Sequence, residues 1–299
     1  MKKIYLLLIF LIPLFITACA SPGFLSRSGS SSYGPNGIQI KFLQPNQAFT
    51  INEGEEITVL LEWTNFAQCD AIGKICIDDG ALSEAFGGFN KKRDCNQFNL
   101  PGAVEEKGKL SYDSMEHSFT SQPYQNLFAD TTISINAIAN YRCDVTMSPT
   151  VCVRSPADRT STCKLSEVIS GNSLAAKAAP VTLVQIDKST GEESGNLKLK
   201  TALTLKKMSK GLVRDEEGNT KMLVEANYGG LSMDCGKNTK DYENGILIWK
   251  PNEPEKIINC EILLAREEIS SPLTIHLDYN YEISEEIRQI KIKAEEEVA

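Results

Sequence analysis

Cysteine offers the most chemistry in this chain, and its nine copies divide into two roles. Cys19 stands directly behind Ile16-Thr17-Ala18, at the end of an apolar run that begins at Ile4 and follows the basic pair Lys2-Lys3. A positive start, a short apolar stretch and small residues before a cut are the parts of an export signal. Small or aliphatic residues just before a cysteine mark that thiol for lipid attachment once the signal, residues 1–18, is removed. The run from Ile4 to Ala18 contains Pro13 and falls short of the roughly 20 residues that a membrane-spanning helix needs. Lipidation at Cys19 is therefore expected over an uncleaved span, and over a plain secretory signal that would leave Cys19 an odd thiol.

The other eight cysteines are Cys69, Cys76, Cys95, Cys143, Cys152, Cys163, Cys235 and Cys260, and an even number in an exported chain implies disulfides. Cys235 and Cys260 are alone in the second half and should pair. Cys152 and Cys163 flank the polar loop VRSPADRTST and should form a local bridge. For the remaining four, Cys69–Cys143 with Cys76–Cys95 is favoured, and Cys69–Cys95 with Cys76–Cys143 is the alternative. Each bridge is worth about 3 kcal/mol in the chain-entropy description. Metal ligation is the competing use, but the chain has no CxxC pair and only two histidines, so no metal site is expected.

Nothing else in the sequence groups into a catalytic constellation. There is no GxSxG, no HExxH and no phosphate-cradling glycine loop. His276 falls on the polar face of an alternating segment, and His117 alternates with Met115 and Phe119; both are read as structural or solvated. Asp78-Asp79-Gly80 and Asp215 to Asn219 read as turns rather than calcium loops, because neither has the spaced ligands of an EF-hand. No catalytic residue and no cofactor are expected.

The elements that must carry these residues alternate with period two. Ile57, Val59, Leu61 and Trp63 share one face against Thr58, Glu62 and Thr64. Ile133, Ile135, Ala137, Ala139, Tyr141 and Cys143 repeat the pattern. Leu197, Leu199, Leu203 and Leu205 follow, and then Leu273, Ile275, Leu277, Tyr279, Tyr281 and Ile283. Such alternation marks strands with one face on a core and one in water. With Gly, Asn and Asp turns between them and no capped helical stripe after the signal, the class is all-β, two antiparallel Ig-like sandwiches in series. The expected layout is a lipidated Cys19 and Ser/Gly-rich flexible tether over 19–37, domain one over 38–165, a linker over 166–180, domain two over 181–293 and an acidic tail over 294–299. A tether of this composition reaches roughly 20 to 25 Å.

The whole chain carries a net charge of −8, and removing Lys2 and Lys3 with the signal makes the mature form more acidic still. Nucleic acid is thereby an unsuitable partner, and the single basic run, Lys91-Lys92-Arg93, reads as a solvated loop.

The lipobox, the Ser-rich tether and the alternating strands resemble lipid-anchored, Ig-like or CARDB-like surface modules of archaea and bacteria. More narrowly, TISINAIANYRCDVTMSPTVCV with Cys163, the restart at AAPVTLVQI and the late LTIHLDYNYEI resemble a two-module secreted protein type of small-genome archaea. Immunoglobulin domains place a tryptophan between the bridged cysteines, whereas Trp63 precedes Cys69 here. The resemblance implies an extracytoplasmic protein held at the membrane through Cys19. It leaves two functions open: a non-catalytic module that binds or spaces a surface protein or polymer, and a carbohydrate-active or other hydrolytic lipoprotein using dispersed Asp and Glu. The first is favoured; facing carboxylates in a pocket would favour the second.

Overall fold

The computed structural model describes residues 36–295, apart from 81–83, 91, 107–108, 238 and 266–268. Cys19, the signal and most of the expected tether lie outside the described residues.

The chain is all-β, as the alternation predicts. The first half forms β1 (Ile38–Gln44), β2 (Thr50–Asn52), β3 (Thr58–Asn65), β4 (Ala71–Asp78), β5 (Cys95–Leu100), β6 (Val104–Glu106), β7 (Lys109–Ser111), β8 (Asp113–Thr120), β9 (Thr131–Met147) and β10 (Thr150–Val153). The second forms β11 (Ser166–Ser170), β12 (Val181–Glu193), β13 (Asn196–Lys207), β14 (Leu212–Val213), β15 (Lys221–Tyr228), β16 (Leu231–Ser232), β17 (Asp234–Cys235), β18 (Tyr242–Glu243), β19 (Ile246–Ile248), β20 (Glu255–Leu264) and β21 (Ile269–Lys293).

These strands do not sort by halves. A three-stranded sheet, β1-β3-β8, comes from the first half and a five-stranded sheet, β11-β12-β13-β20-β17, from the second. The largest sheet mixes them in the order β18-β19-β15-β21-β9-β4-β5, with β2, β10 and β14 also on β21 and β16 on β15; β6 and β7 form a separate hairpin. The described residues accordingly form one compact unit.

The seam is the antiparallel ladder of β9 and β21, which runs from Met147 opposite Ile275 to Thr131 opposite Ile292. Beyond the break at residues 148–149, β10 keeps the same register, with Thr150 opposite Pro272. Every core-facing residue of the two sequence patterns, Ile133 to Cys143 and Leu273 to Ile283, is buried except Ile283, which is half-buried. Between Ile287 and Ile290 a bulge inserts one residue, with Gln289 at a φ of 65°, and this reverses parity so that Ile290 and Ile292 return to the core.

The two smaller sheets pack on this ladder around one continuous hydrophobic core. Tyrosines of the ladder fix where each begins. Tyr141 Oη accepts from the Ile38 amide at the start of β1, and Tyr279 Oη bonds Val181 at the start of β12. The two starts meet at Gly37, whose φ is +132° and where a Cβ would lie 2.8 Å from Tyr141 Oη and 3.1 Å from Pro180. Only glycine fits there. Asn36 and Gly37, read in the sequence as the end of the tether, are therefore buried.

Residues 166–180, expected as a linker, are built into the fold. Ser166–Ser170 pair with β12 as an edge strand, and Leu174, Ala178 and Ala179 are buried. Ala178 exchanges bonds with Gln68 across the halves, at 2.7 Å to its own carbonyl and 2.9 Å from its amide. The small polar composition hides these few apolar anchors.

Candidate functional site

Residues that alternate with the core positions of β15, β21, β9 and β4 point away from the core. Register aligns Glu225 with His276, Asp278 with Asp144, and Asn280 with Arg142. Side chains then meet across strands. His276 stands between two carboxylates, its Nδ1 at 3.2 Å from Glu225 and its Nε2 at 3.0 Å from Asp144. Beside it Arg142 makes a two-pronged pair with Asp278, at 2.7 and 2.6 Å. The Asp278 carboxylate raises the guanidinium pKa of Arg142 above its ordinary value. Partial burial pulls the His276 pKa down, but the bonds to Glu225 and Asp144 outweigh it and leave the imidazole above its usual value. The result is an outer face whose charged side chains pair across adjacent strands.

Further along the same face a groove of about 660 Å³ opens between the Cys76–Cys95 bridge and the loop after β14. Lys74 pairs with Glu216, Arg214 pairs with Glu282, and Asn140 donates to the Arg214 carbonyl at 3.0 Å. The Asp215 carboxylate is occupied by its own turn, accepting from the Asn219 side chain at 2.9 Å and from the amides of Glu217 and Asn219. Those bonds, the Asn219 side chain first, hold it below the ordinary carboxylate range.

The other residues singled out in the sequence are scattered. Asp78 closes a turn onto the Gly80 amide at 3.1 Å, and Asp79 is buried, accepting from the Phe89 amide at 3.0 Å and the Tyr124 hydroxyl at 3.1 Å. Arg93 bonds Asp94 and the Gly88 carbonyl, and Lys92 lines the groove. His117 is exposed on β8 with its ring edge-on to Phe119.

All eight cysteines among the described residues are bridged, as Cys69–Cys143, Cys76–Cys95, Cys152–Cys163 and Cys235–Cys260. Of the two pairings weighed for the inner four, the favoured one is present. Sequence reasoning missed Lys188, whose side chain is fully buried, donating to the Cys152 carbonyl at 2.7 Å and reaching Glu167 at 3.5 Å. Burial lowers its pKa. It sits at a core-facing position of β12, and a lone Lys in an apolar strand pattern was the available signal.

No protein-family model and no characterised protein matches this sequence.

Proposed function

We propose that this chain is a non-catalytic surface module, exported, held at the membrane by lipid on Cys19, and binding a surface protein or polymer through its folded body. The observation that carries the reading is the outer sheet face, where Glu225, His276 and Asp144, and Arg142 with Asp278, engage one another across adjacent strands. Catalytic acids and bases need a poised proton in a cleft; here the charges are spent on neighbours. Four disulfides fit an oxidising compartment outside the cytoplasm. The Ig-like surface modules of archaea and bacteria remain the family this reading points to.

The hydrolytic alternative draws on one feature, the groove beside Cys76–Cys95 with Glu216 and Glu282 in its wall. Each of these carboxylates is engaged by a cation, which weighs against it.

The test is binding of the full chain, purified in detergent, to cell envelopes of its source, together with release of reducing sugar from envelope polymers. Saturable binding that falls about tenfold for Arg142→Glu supports the proposal. Sugar release that Glu216→Gln or Glu282→Gln abolishes would replace it with the alternative. In cells, Cys19→Ser should leave unlipidated precursor or released protein; unchanged mass and membrane retention would refute the anchor.

A further inference from the structure

The three-stranded sheet leaves part of the ladder beneath it uncovered. Ile283, Glu285 and Ile287 continue the core-facing register of β21 beyond the buried Tyr281, yet the two isoleucines are only half-buried and Glu285 is exposed. Opposite them on β9, Ala139, Ala137 and Ile135 are fully buried, so cover is missing over β21 alone. On its side away from β9, β21 pairs with β14 as far as Glu282 and with β2 from Lys291; among the described residues no strand pairs with it between.

Among the described residues β1 pairs with β3 alone, so its other edge carries no strand. The Phe66 amide donates to the Gly37 carbonyl at 3.0 Å, so in an antiparallel register with Gln39 opposite Thr64 the backbone groups of the odd-numbered residues face β3. Those of Ile38, Ile40 and Phe42 face the other way. Tyr141 Oη takes the Ile38 amide. Ile40, with Phe42 next along the same edge, is left addressing a groove of about 590 Å³ whose walls include Ile38 to Lys41 on one side and Ile283, Glu285 and Lys210 on the other. That volume is within the range of sites that bury a bound ligand.

We propose that this slot is a strand-addition site, taking an extended polypeptide segment of a partner along the edge of β1. The proposal deepens the binding-module reading and rests on it. Added strands gain affinity from backbone bonds and specificity from alternate side chains. Residues two apart on such a strand repeat at roughly 6.8 Å, the same spacing that separates Ile283, Glu285 and Ile287 on β21. An apolar residue over Ile283, a lysine or arginine over Glu285 and an apolar residue over Ile287 would complete the core face and neutralise its one exposed acid. On the rim Lys41 and Glu62 pair with each other at 3.9 Å.

The probe is a fluorescent peptide of alternating threonine and valine with one central lysine on the valine face, and a twin with glutamate there, titrated into the full chain in detergent. The lysine peptide should bind about tenfold more tightly than its twin. Glu285→Lys, a change at an exposed side chain, should reverse that order, while His276→Gln on the outer face leaves it intact. Hydrogen exchange at the Ile40 and Phe42 amides should slow on binding. Failure of both peptides to bind, equal binding, indifference to Glu285→Lys, or unchanged exchange along β1 would each overturn the slot. Envelope binding that survives such a result leaves the surface-module reading standing, and peptide discrimination without envelope binding removes that reading alone.

Discussion

Tyr279 grips Val181 by both backbone groups, accepting from its amide at 2.9 Å and donating to its carbonyl at 3.1 Å. Both residues are buried, so the hydroxyl is the partner through which the first residue of β12 is held to the ladder. Tyr279→Phe keeps the ring and strands two buried polar groups, at a cost of about 1 to 3 kcal/mol. Urea titration of the full chain measures it. A loss below roughly 0.5 kcal/mol would show that the clamp is dispensable.

His276 makes stability depend on pH. Its folded pKa lies above the ordinary 6.5, so its contribution is fully present below about pH 6.5 and is lost as pH rises through the folded value. The imidazole is partly exposed, which limits the effect to a few tenths of a kcal/mol. The gap between wild type and His276→Gln should be wider at pH 5.5 than at pH 8.5; equal gaps would refute the pairing. Its neighbour Ile275, fully buried, should cost about 2 to 5 kcal/mol as Ile275→Ala at either pH.

Loop length orders the disulfides. The Cys69–Cys143 bridge spans 74 residues and Cys235–Cys260 spans 25, against 11 for Cys152–Cys163. In the chain-entropy description, removing them as paired alanines should cost about 4.4, 3.5 and 2.8 kcal/mol. Denaturant midpoints give the ranking. An inverted order would place the effect in the native packing instead.

Lys177 is exposed between the halves, and every disulfide lies wholly on one side of it. A trypsin cut there should leave two fragments that co-elute on gel filtration, joined without a covalent link by the β9–β21 ladder, the pairings of β2 and β10 with β21 and that of β11 with β12. On a non-reducing denaturing gel they should part. Fragments that separate without denaturant would mean that these strand pairings do not hold the halves.

The period-two patterns made the strands legible, and residues such as Ile133 and Leu277 are buried where alternation puts them. Cysteine position made the bridges legible for a related reason, since Cys76 and Cys95 stand opposite each other on adjoining strands. What stayed hidden was partnership at long range. Nothing local in LTIHLDYNYEI says that Asp278 will lie against Asp144, more than a hundred residues earlier, so the charged face could not be assembled from the sequence. The open slot did leave a trace: Ile283, Glu285 and Ile287 keep the strand period with a charge at its centre. Reading the strand as finished at Ile283 passed over it.

The strand made last is the one that most of the sheet waits for. β21 supplies the partner for β2, β9, β10, β14 and β15, so a ribosome must finish residues 269–293 before any of those pairings can form. Non-local pairings of this kind slow folding, because a long loop must close before contact repays it. Under the proposed export, amino end first, the delay is useful. Threading through a pore needs an unfolded polymer, and this one withholds its central seam until its carboxyl end has followed.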